Sequence, residues 1–209
     1  MNAGIVNTKI DTVVFDLGNV LIPWDLRWLL RSLFDSEEAI EAFLVNANIM
    51  IWHAQQDAGY PVAQAITEHS AKHPQHAHAI RAVYERWHET MRDADPAAVT
   101  LLRELKSAGL RLYALSNFSA ELFALSRPRF DFWDAFDGIV LSGEERVNKP
   151  DPAIYRVLFE RYAITPERAV FLDDSLPNVE ASRALGMRAI HFKDAATARS
   201  ELRGMGLPV

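Results

Sequence analysis

Residues 12–23, TVVFDLGNVLIP, decide the fold of this chain. An apolar, β-branched run delivers one carboxylate, Asp16, to a tight turn at Gly18 and Asn19, the pattern of a buried strand stopped by turn residues. Burying an unpaired charge costs several kcal/mol, so Asp16 belongs at the strand's edge, where water, a cation or N–H donors can hold it. A carboxylate so placed is a nucleophile candidate. Alone it proves little, because many strands end in Asp. The rest of the chain supplies partners in Ser116-Asn117, Lys149 and Asp173-Asp174.

Downstream of this strand, taken as Thr12–Asp16, two regimes alternate. Over residues 26–91 only helical periodicity is present, in segments 26–34, 37–46, 48–58, 62–72 and 76–91 broken by Gly59, Pro61 and Pro74. From Asp95-Pro96 onward helix and strand repeat. Helices are expected over 96–108, 120–126, 152–162, 178–185 and 195–205, and strands over 110–116, 138–141, 169–173 and 188–192. Short apolar strands alternating with amphipathic helices specify a parallel sheet covered on both faces. The fold class is therefore α/β, a doubly wound parallel sheet of Rossmann-like form with an inserted helical cap. The core takes residues 1–25 and 93–209 and the cap residues 26–92.

Composition narrows the function classes. With 209 residues, 49% of them hydrophobic, the chain can bury one full core and a smaller appendage. No apolar run reaches the length of a membrane span, and MNAGIVNTKID lacks a cationic leader followed by an apolar block, so no membrane and no export are expected. The absence of cysteine excludes disulfides, thiolate metal sites and a cysteine nucleophile, and fits a cytoplasmic protein. A net charge of −6 argues against a general nucleic-acid surface. The expected partner is a small molecule; oligomeric state is not legible.

In open parallel sheets ligands bind outside the carboxyl ends of the strands. Asp16, Ser116 and Asp173 end strands, and Lys149 lies in the loop after another, so four distant positions converge on one edge. Each has a blander alternative: Ser116-Asn117 and Asp173-Asp174 as helix caps, Lys149 as a solvated loop residue. Phosphoryl transfer needs these types together. A carboxylate attacks phosphorus, a divalent cation offsets the repulsion between the two anions, and a hydroxyl, an amide and an ammonium bind the equatorial oxygens. Asp16 is then nucleophile and metal ligand. Asp173, Asp174 and the carbonyl of Gly18 offer the hard oxygens Mg²⁺ prefers. Ser116, Asn117, Lys149 and the Gly18-Asn19 turn face the phosphate.

The motifs FDLGNV, LSN, NKPDPAIY and FLDDSLPN, in that order across essentially the whole chain, resemble the haloacid dehalogenase superfamily of hydrolases. The resemblance implies an aspartyl-phosphate on Asp16, Ser116 as phosphate binder, Lys149 as charge clamp, and Mg²⁺ at Asp174 with Asp173. FDLGNV with FLDD resembles the subgroup that includes an α-glucose-1-phosphate phosphatase and the phosphatase domain of soluble epoxide hydrolases. The reaction implied is Mg²⁺-dependent hydrolysis of a small phosphomonoester, with a sugar-1-phosphate among the candidates.

One departure matters. Most phosphatases of the superfamily carry a second Asp two residues after the nucleophile as general acid and base, and here that position is Gly18. Asp25 at the start of the cap is a candidate substitute, competing with its use as a helix N-cap. An easily expelled anomeric oxygen is the other escape. The same gap admits a metal-independent 2-haloacid dehalogenase, for which Asp173-Asp174 is surplus negative charge, or a non-catalytic binding protein. Trp24 and the Trp52-His53 pair are candidate substrate contacts. His69, His73, His76 and His78 have partial zinc-ligand spacing but no acidic partners, and read as a solvated cap face.

Overall fold

Strand β1 (Thr12–Phe15) is wholly buried, and the reason is its place at the centre of a five-stranded parallel sheet of order β3-β2-β1-β4-β5. The computed structural model describes residues 9–209, so the expectation of no leader at the extreme N-terminus lies outside the described residues. β1 pairs on one side with β2 (Arg111–Ser116) and on the other with β4 (Ala169–Asp173); β3 (Gly138–Leu141) and β5 (Arg188–His191) complete the edges. Parallel neighbours need crossovers, and helices supply them on both faces. Alternation within β1 divides the core: Val13 and Phe15 pack with Leu101, Leu105 and Leu202, while Val14 packs with Tyr155, Leu158 and Val179.

Helices α1 (Leu26–Leu30), α2 (Glu37–Asn46), α3 (Ile49–Asp57), α4 (Val62–Lys72) and α5 (Ala77–Glu85) form the insert between β1 and α6 (Pro96–Ser107). After β2 come α7 (Ala120–Ser126), α8 (Ser142–Glu145), α9 (Pro152–Tyr162), α10 (Leu176–Ala184) and α11 (Ala195–Gly204). Asp95 and Asp151 cap α6 and α9 through side-chain oxygens, each followed by a proline in the first turn, which explains why the Asp-Pro pairs mark helix starts.

The chain leaves the sheet layer at Trp24 and returns at Met91, the two residues forming an antiparallel bridge flanked by Asp25 N–H to Thr90 O (2.9 Å) and Arg92 N–H to Pro23 O (3.0 Å). This neck breaks the helix expected over 76–91. After Glu85 the backbone tightens into a 3₁₀ turn at Trp87–Thr90, so that Met91 reaches the bridge extended. The helix expected over 26–34 stops at Leu30, where the Ser32 hydroxyl donates to Leu29 O (2.8 Å) and competes with the helical ladder. α8, directly after β3, carried no periodic signal at its length.

Hydrogen bonds that fasten the insert to the sheet layer include Ser119 N–H to Asp57 Oδ1 (3.0 Å), Asn148 Nδ2 to Ala54 O (2.7 Å), Val62 N–H to Glu121 Oε1 (3.1 Å) and Trp87 Nε1 to Ser126 Oγ (3.2 Å). Gly59, with φ +85°, lies so close to Gly143 that a Cβ on it would stand 2.8 Å from the Gly143 carbonyl oxygen. Only glycine closes this seam. The histidine cluster is corrected in part: His69 is fully buried, stacked 4.4 Å from Trp52 and bonded to Ala47 O, while His78 is exposed as expected. Its ring is a packing element, because the flat faces of Trp52 and His69 bury each other. No helix among the described residues is long and apolar enough to cross a membrane.

Candidate active site

The carboxyl ends of β2, β1 and β4 deliver Ser116, Asp16 and Asp173 side by side, because each residue ends or directly follows its strand. A cavity of about 460 Å³ opens there. Its floor holds Asp16, Gly18, Asn19, Ser116, Asn117, Lys149 and Asp174; its roof holds Ile22, Trp24, Met50, His53, Asp57, Trp87, Met91 and Phe118.

Lys149 organises the floor. Its Nζ, 4% exposed as a residue, donates to Leu115 O (2.8 Å), Asp173 Oδ2 (2.7 Å) and Asp16 Oδ1 (2.9 Å). An ammonium has three N–H bonds, and all three are used inside the protein. Burial alone would push Lys149 down, but Asp16 and Asp173 more than offset it and hold the ammonium above the ordinary lysine range. Asn117 anchors the loop, its Nδ2 donating to Lys149 O (3.0 Å) and its Oδ1 accepting from Lys149 N–H (2.7 Å). Thus the Asn117 side chain fixes Lys149, whereas Ser116 faces the cavity.

The three carboxylates differ in what remains free. Asp173 is saturated: Oδ1 accepts from Ser175 N–H (2.8 Å) and Asn178 Nδ2 (3.0 Å), and Oδ2 from Lys149 and Asn178 (3.1 Å). Asp16 Oδ1 accepts from Leu17 N–H (2.8 Å) as well as Lys149, which leaves Oδ2 for chemistry. Asp174 lines the cavity; burial raises its pKa, Asp173 adds to the rise, and an Asn19 hydrogen bond and Lys149 oppose it. Asn19 adopts φ +54°, a conformation its short amide tolerates, and Oδ1 accepts from Trp24 N–H (3.0 Å).

Burial pushes Asp16 up to about 7, with Lys149 opposing and Asp173 and Asp174 adding to the rise. Carboxylate oxygens of Asp16, Asp173 and Asp174 lie within 4.8 Å of one another, against one ammonium. Such a set is short of positive charge and rich in hard oxygen, and it fits a divalent cation at Asp16, Asp174 and the Gly18 carbonyl. Asp173 belongs to the cluster by distance, yet its oxygens are already taken.

A stability prediction follows. Because the folded-state pKa of Asp16 is raised, the folded protein holds the extra proton between about pH 4 and 7, and stability falls as pH rises through that window. Asp16→Asn removes the charge, so in metal-free buffer it should raise the melting temperature by several degrees at pH 7.5 and change it little at pH 4. Equal shifts at both pH values in thermal unfolding would refute this origin.

Of the residues singled out in the sequence, Asp16, Gly18, Asn19, Trp24, His53, Ser116, Asn117, Lys149 and Asp174 meet at this cavity. Asp25 does not. It N-caps α1, accepting from Arg27 N–H (2.9 Å), and lines a neighbouring groove, so the acid role weighed for it finds no geometric support. Trp52 is likewise absent from the cavity, being stacked on His69. Asp57, Met50 and Phe118 went unnoticed in the sequence, and Trp87, one of four tryptophans in or beside the insert, read there as cap core, lines the cavity. Only Asp57 carried a readable signal, lying one helical turn beyond His53 on the same face of α3.

The chain is similar to several known proteins. Sesquiterpene phosphatase astK of Aspergillus oryzae is 27% identical to the chain, with 94% of this chain and 96% of that protein covered. Phosphorylated carbohydrates phosphatase of Thermotoga maritima is 24% identical over 87% of this chain and 84% of its own. A solved enzyme of the same family from Bacteroides thetaiotaomicron, in complex with magnesium and inorganic phosphate, superposes with a TM-score of 0.66 at 24% identity, covering 88% of this chain and 94% of its own. Residues 10–186 match the haloacid dehalogenase-like hydrolases, and the chain belongs to that family of enzymes.

Proposed function

We propose that the protein is a Mg²⁺-dependent phosphatase acting on a small phosphomonoester through an aspartyl-phosphate on Asp16, with the helical insert as its cap. One observation carries the reading: Asp16, Asp173 and Asp174 crowd together around a lysine whose donors are all engaged. An anionic substrate enters such a site only with a cation beside it. Bound Mg²⁺ would offset the repulsion between the Asp16 carboxylate and the phosphate oxygens. Lys149 holds Oδ1 of Asp16 so that Oδ2 is presented for attack. The Ser116 hydroxyl binds an equatorial oxygen, and the Trp24 and Trp87 rings exclude water from above.

For the organic group, Gly18 supports a sugar phosphate such as a sugar-1-phosphate, whose anomeric oxygen leaves readily; the carbohydrate-phosphate phosphatase relative agrees. A second reading has its own observation. The roof is mostly apolar, and through Trp24 and Met50 it continues into a groove of about 680 Å³ whose apolar side is Leu26, Leu44, Val45 and Ile51, facing Asp25, Arg27, Glu41 and Asn48. Val45 and Ile51 are 69% and 63% exposed there, a site for a hydrophobic chain, in keeping with the sesquiterpene phosphatase relative.

One panel separates the two, with sugar-1-phosphates on one side and linear alkyl phosphates of rising length on the other, each with and without Mg²⁺. If the groove is used, kcat/KM should climb about threefold to fourfold per methylene, from roughly 0.8 kcal/mol each. A flat length series beside efficient sugar-1-phosphate hydrolysis would remove the apolar reading.

A further inference from the structure

Expulsion of an alkoxide requires a proton, and few groups in the cavity can give one. Its titratable side chains are Asp16, His53, Asp57, Lys149 and Asp174. Asp16 is the nucleophile and Asp174 faces the cation position. Lys149 has an acceptor on each of its three N–H bonds. Gly18 has no side chain, although a Cβ there would meet nothing within 4 Å. Two groups remain, both from α3.

His53 and Asp57 are each 8% exposed. The His53 ring stacks on both Trp24 (5.3 Å between centroids) and Trp87 (5.2 Å), themselves 6.0 Å apart, and this three-ring cluster fixes its plane. Its Nδ1 is buried with no hydrogen-bond partner, so a proton there would face no acceptor, and the ring carries its N–H at Nε2. Nε2 lies 3.6 Å from Asp57 Oδ2, too far for a hydrogen bond of their own but near enough that one polar atom on the cavity side can reach both. Asp57 Oδ1 accepts from Ser119 N–H (3.0 Å), three residues beyond Ser116, which ties the carboxyl to the loop beneath it.

We propose that Asp57 is the acid–base residue of this site, with His53 as the residue that positions it. The proposal rests on the phosphatase reading above. In the first step the bond from Asp16 Oδ2 to phosphorus forms, the bond from phosphorus to the leaving oxygen breaks, and the Asp57 carboxyl proton passes to that oxygen to give the alcohol. In the second, water attacks phosphorus, its proton returns to Asp57, and the acyl-phosphate bond to Asp16 breaks, releasing phosphate.

The environment favours a carboxyl that keeps its proton. Burial raises the pKa of Asp57, opposed by His53, the Ser119 N–H and Lys149. Tyr84 of α5, which donates to Gln56 Oε1 (2.6 Å), feels Asp57 as a charge that pushes its own pKa further up; Asp16 and Asp174 share the cavity. A raised pKa keeps Asp57 protonated at higher pH, as a donor requires.

The test uses the Mg²⁺-loaded protein with p-nitrophenyl phosphate, whose leaving group needs no proton, and an alkyl phosphate, whose leaving group does. Asp57→Asn keeps the acceptor for Ser119. It should lower kcat for the alkyl ester about 10²-fold and, with the aryl ester, give a burst near one equivalent of nitrophenolate followed by slow turnover as phosphorylated Asp16 accumulates. Equal losses on both esters without a burst, or no loss, would overturn the proposal. Should Asp57→Asn fail to fold, His53 supplies the second measurement. His53→Phe should move the alkaline limb of the alkyl-ester pH profile upward, because Asp57 loses the polar imidazole whose electrostatic influence favours its charged form, and His53→Gln should partly restore it; an unmoved limb overturns the proposal. Wild-type protein inert toward both esters would instead overturn the phosphatase reading, and this one with it.

Discussion

Asp16→Asn protein is expected to lose phosphomonoester turnover by about 10⁴-fold or more while keeping its fold. An amide is a poor nucleophile, and neither neighbouring carboxylate at the sheet edge can take its place. Asp173 is saturated by four donor contacts, and Asp174 is held by Asn19 on the cation side. The substitution is nearly isosteric, and its amide oxygen can still accept from Leu17 N–H or Lys149, so the lysine keeps its place. Beryllofluoride should label wild-type Asp16 and leave the variant unlabelled, read by mass spectrometry. Turnover within tenfold of wild type would mean that the nucleophile is another group.

Chelation is expected to have the second large effect. With Asp16, Asp173 and Asp174 gathered within 4.8 Å, EDTA should abolish phosphatase activity and added Mg²⁺ or Mn²⁺ should restore it. Cation binding should also raise the melting temperature at neutral pH, as any ligand of the folded state does, by about 2.7 kcal/mol of stability at a hundredfold excess over Kd. That second readout separates loss of the cation from inhibition by the chelator. Full activity in EDTA would sink the metal assignment, and halide release from a 2-haloacid under those conditions would put a dehalogenase in its place.

Much of this was legible in the sequence because both fold and site follow from strand ends. Apolar runs closed by Asp16, Ser116 and Asp173 set sheet and chemistry together, since a parallel sheet brings every carboxyl end to one edge. What stayed hidden depends on three-dimensional closure. The break at Glu85 arises from the bridge between Trp24 and Met91, residues with no local signal for each other. Asp25 satisfied the rules of a catalytic carboxylate as well as those of the helix cap that its sequence favours, and the bond it accepts from Arg27 N–H is the cap. Asp173 and Asp174 are identical in composition and adjacent in sequence. The alternation of side chains at the end of β4 sends one to Lys149 and Asn178 and the other to the cavity.

The order of the strands bears on how the protein comes into being. β1 is the first strand among the described residues, yet Thr12 finds its partners only in Arg111 and Ala169, on either side, after the whole helical insert has been made. During synthesis Asp16 therefore waits without a neighbouring strand on either side, and closing those long loops is the slow, entropically costly part of assembly. No nascent chain that stops short of Asp173 can hold Lys149 against Asp16 with both of its carboxylate partners in place. The constellation of Asp16, Lys149 and Asp173 exists only once β4 has been made, so the site is among the last parts of the protein to be assembled.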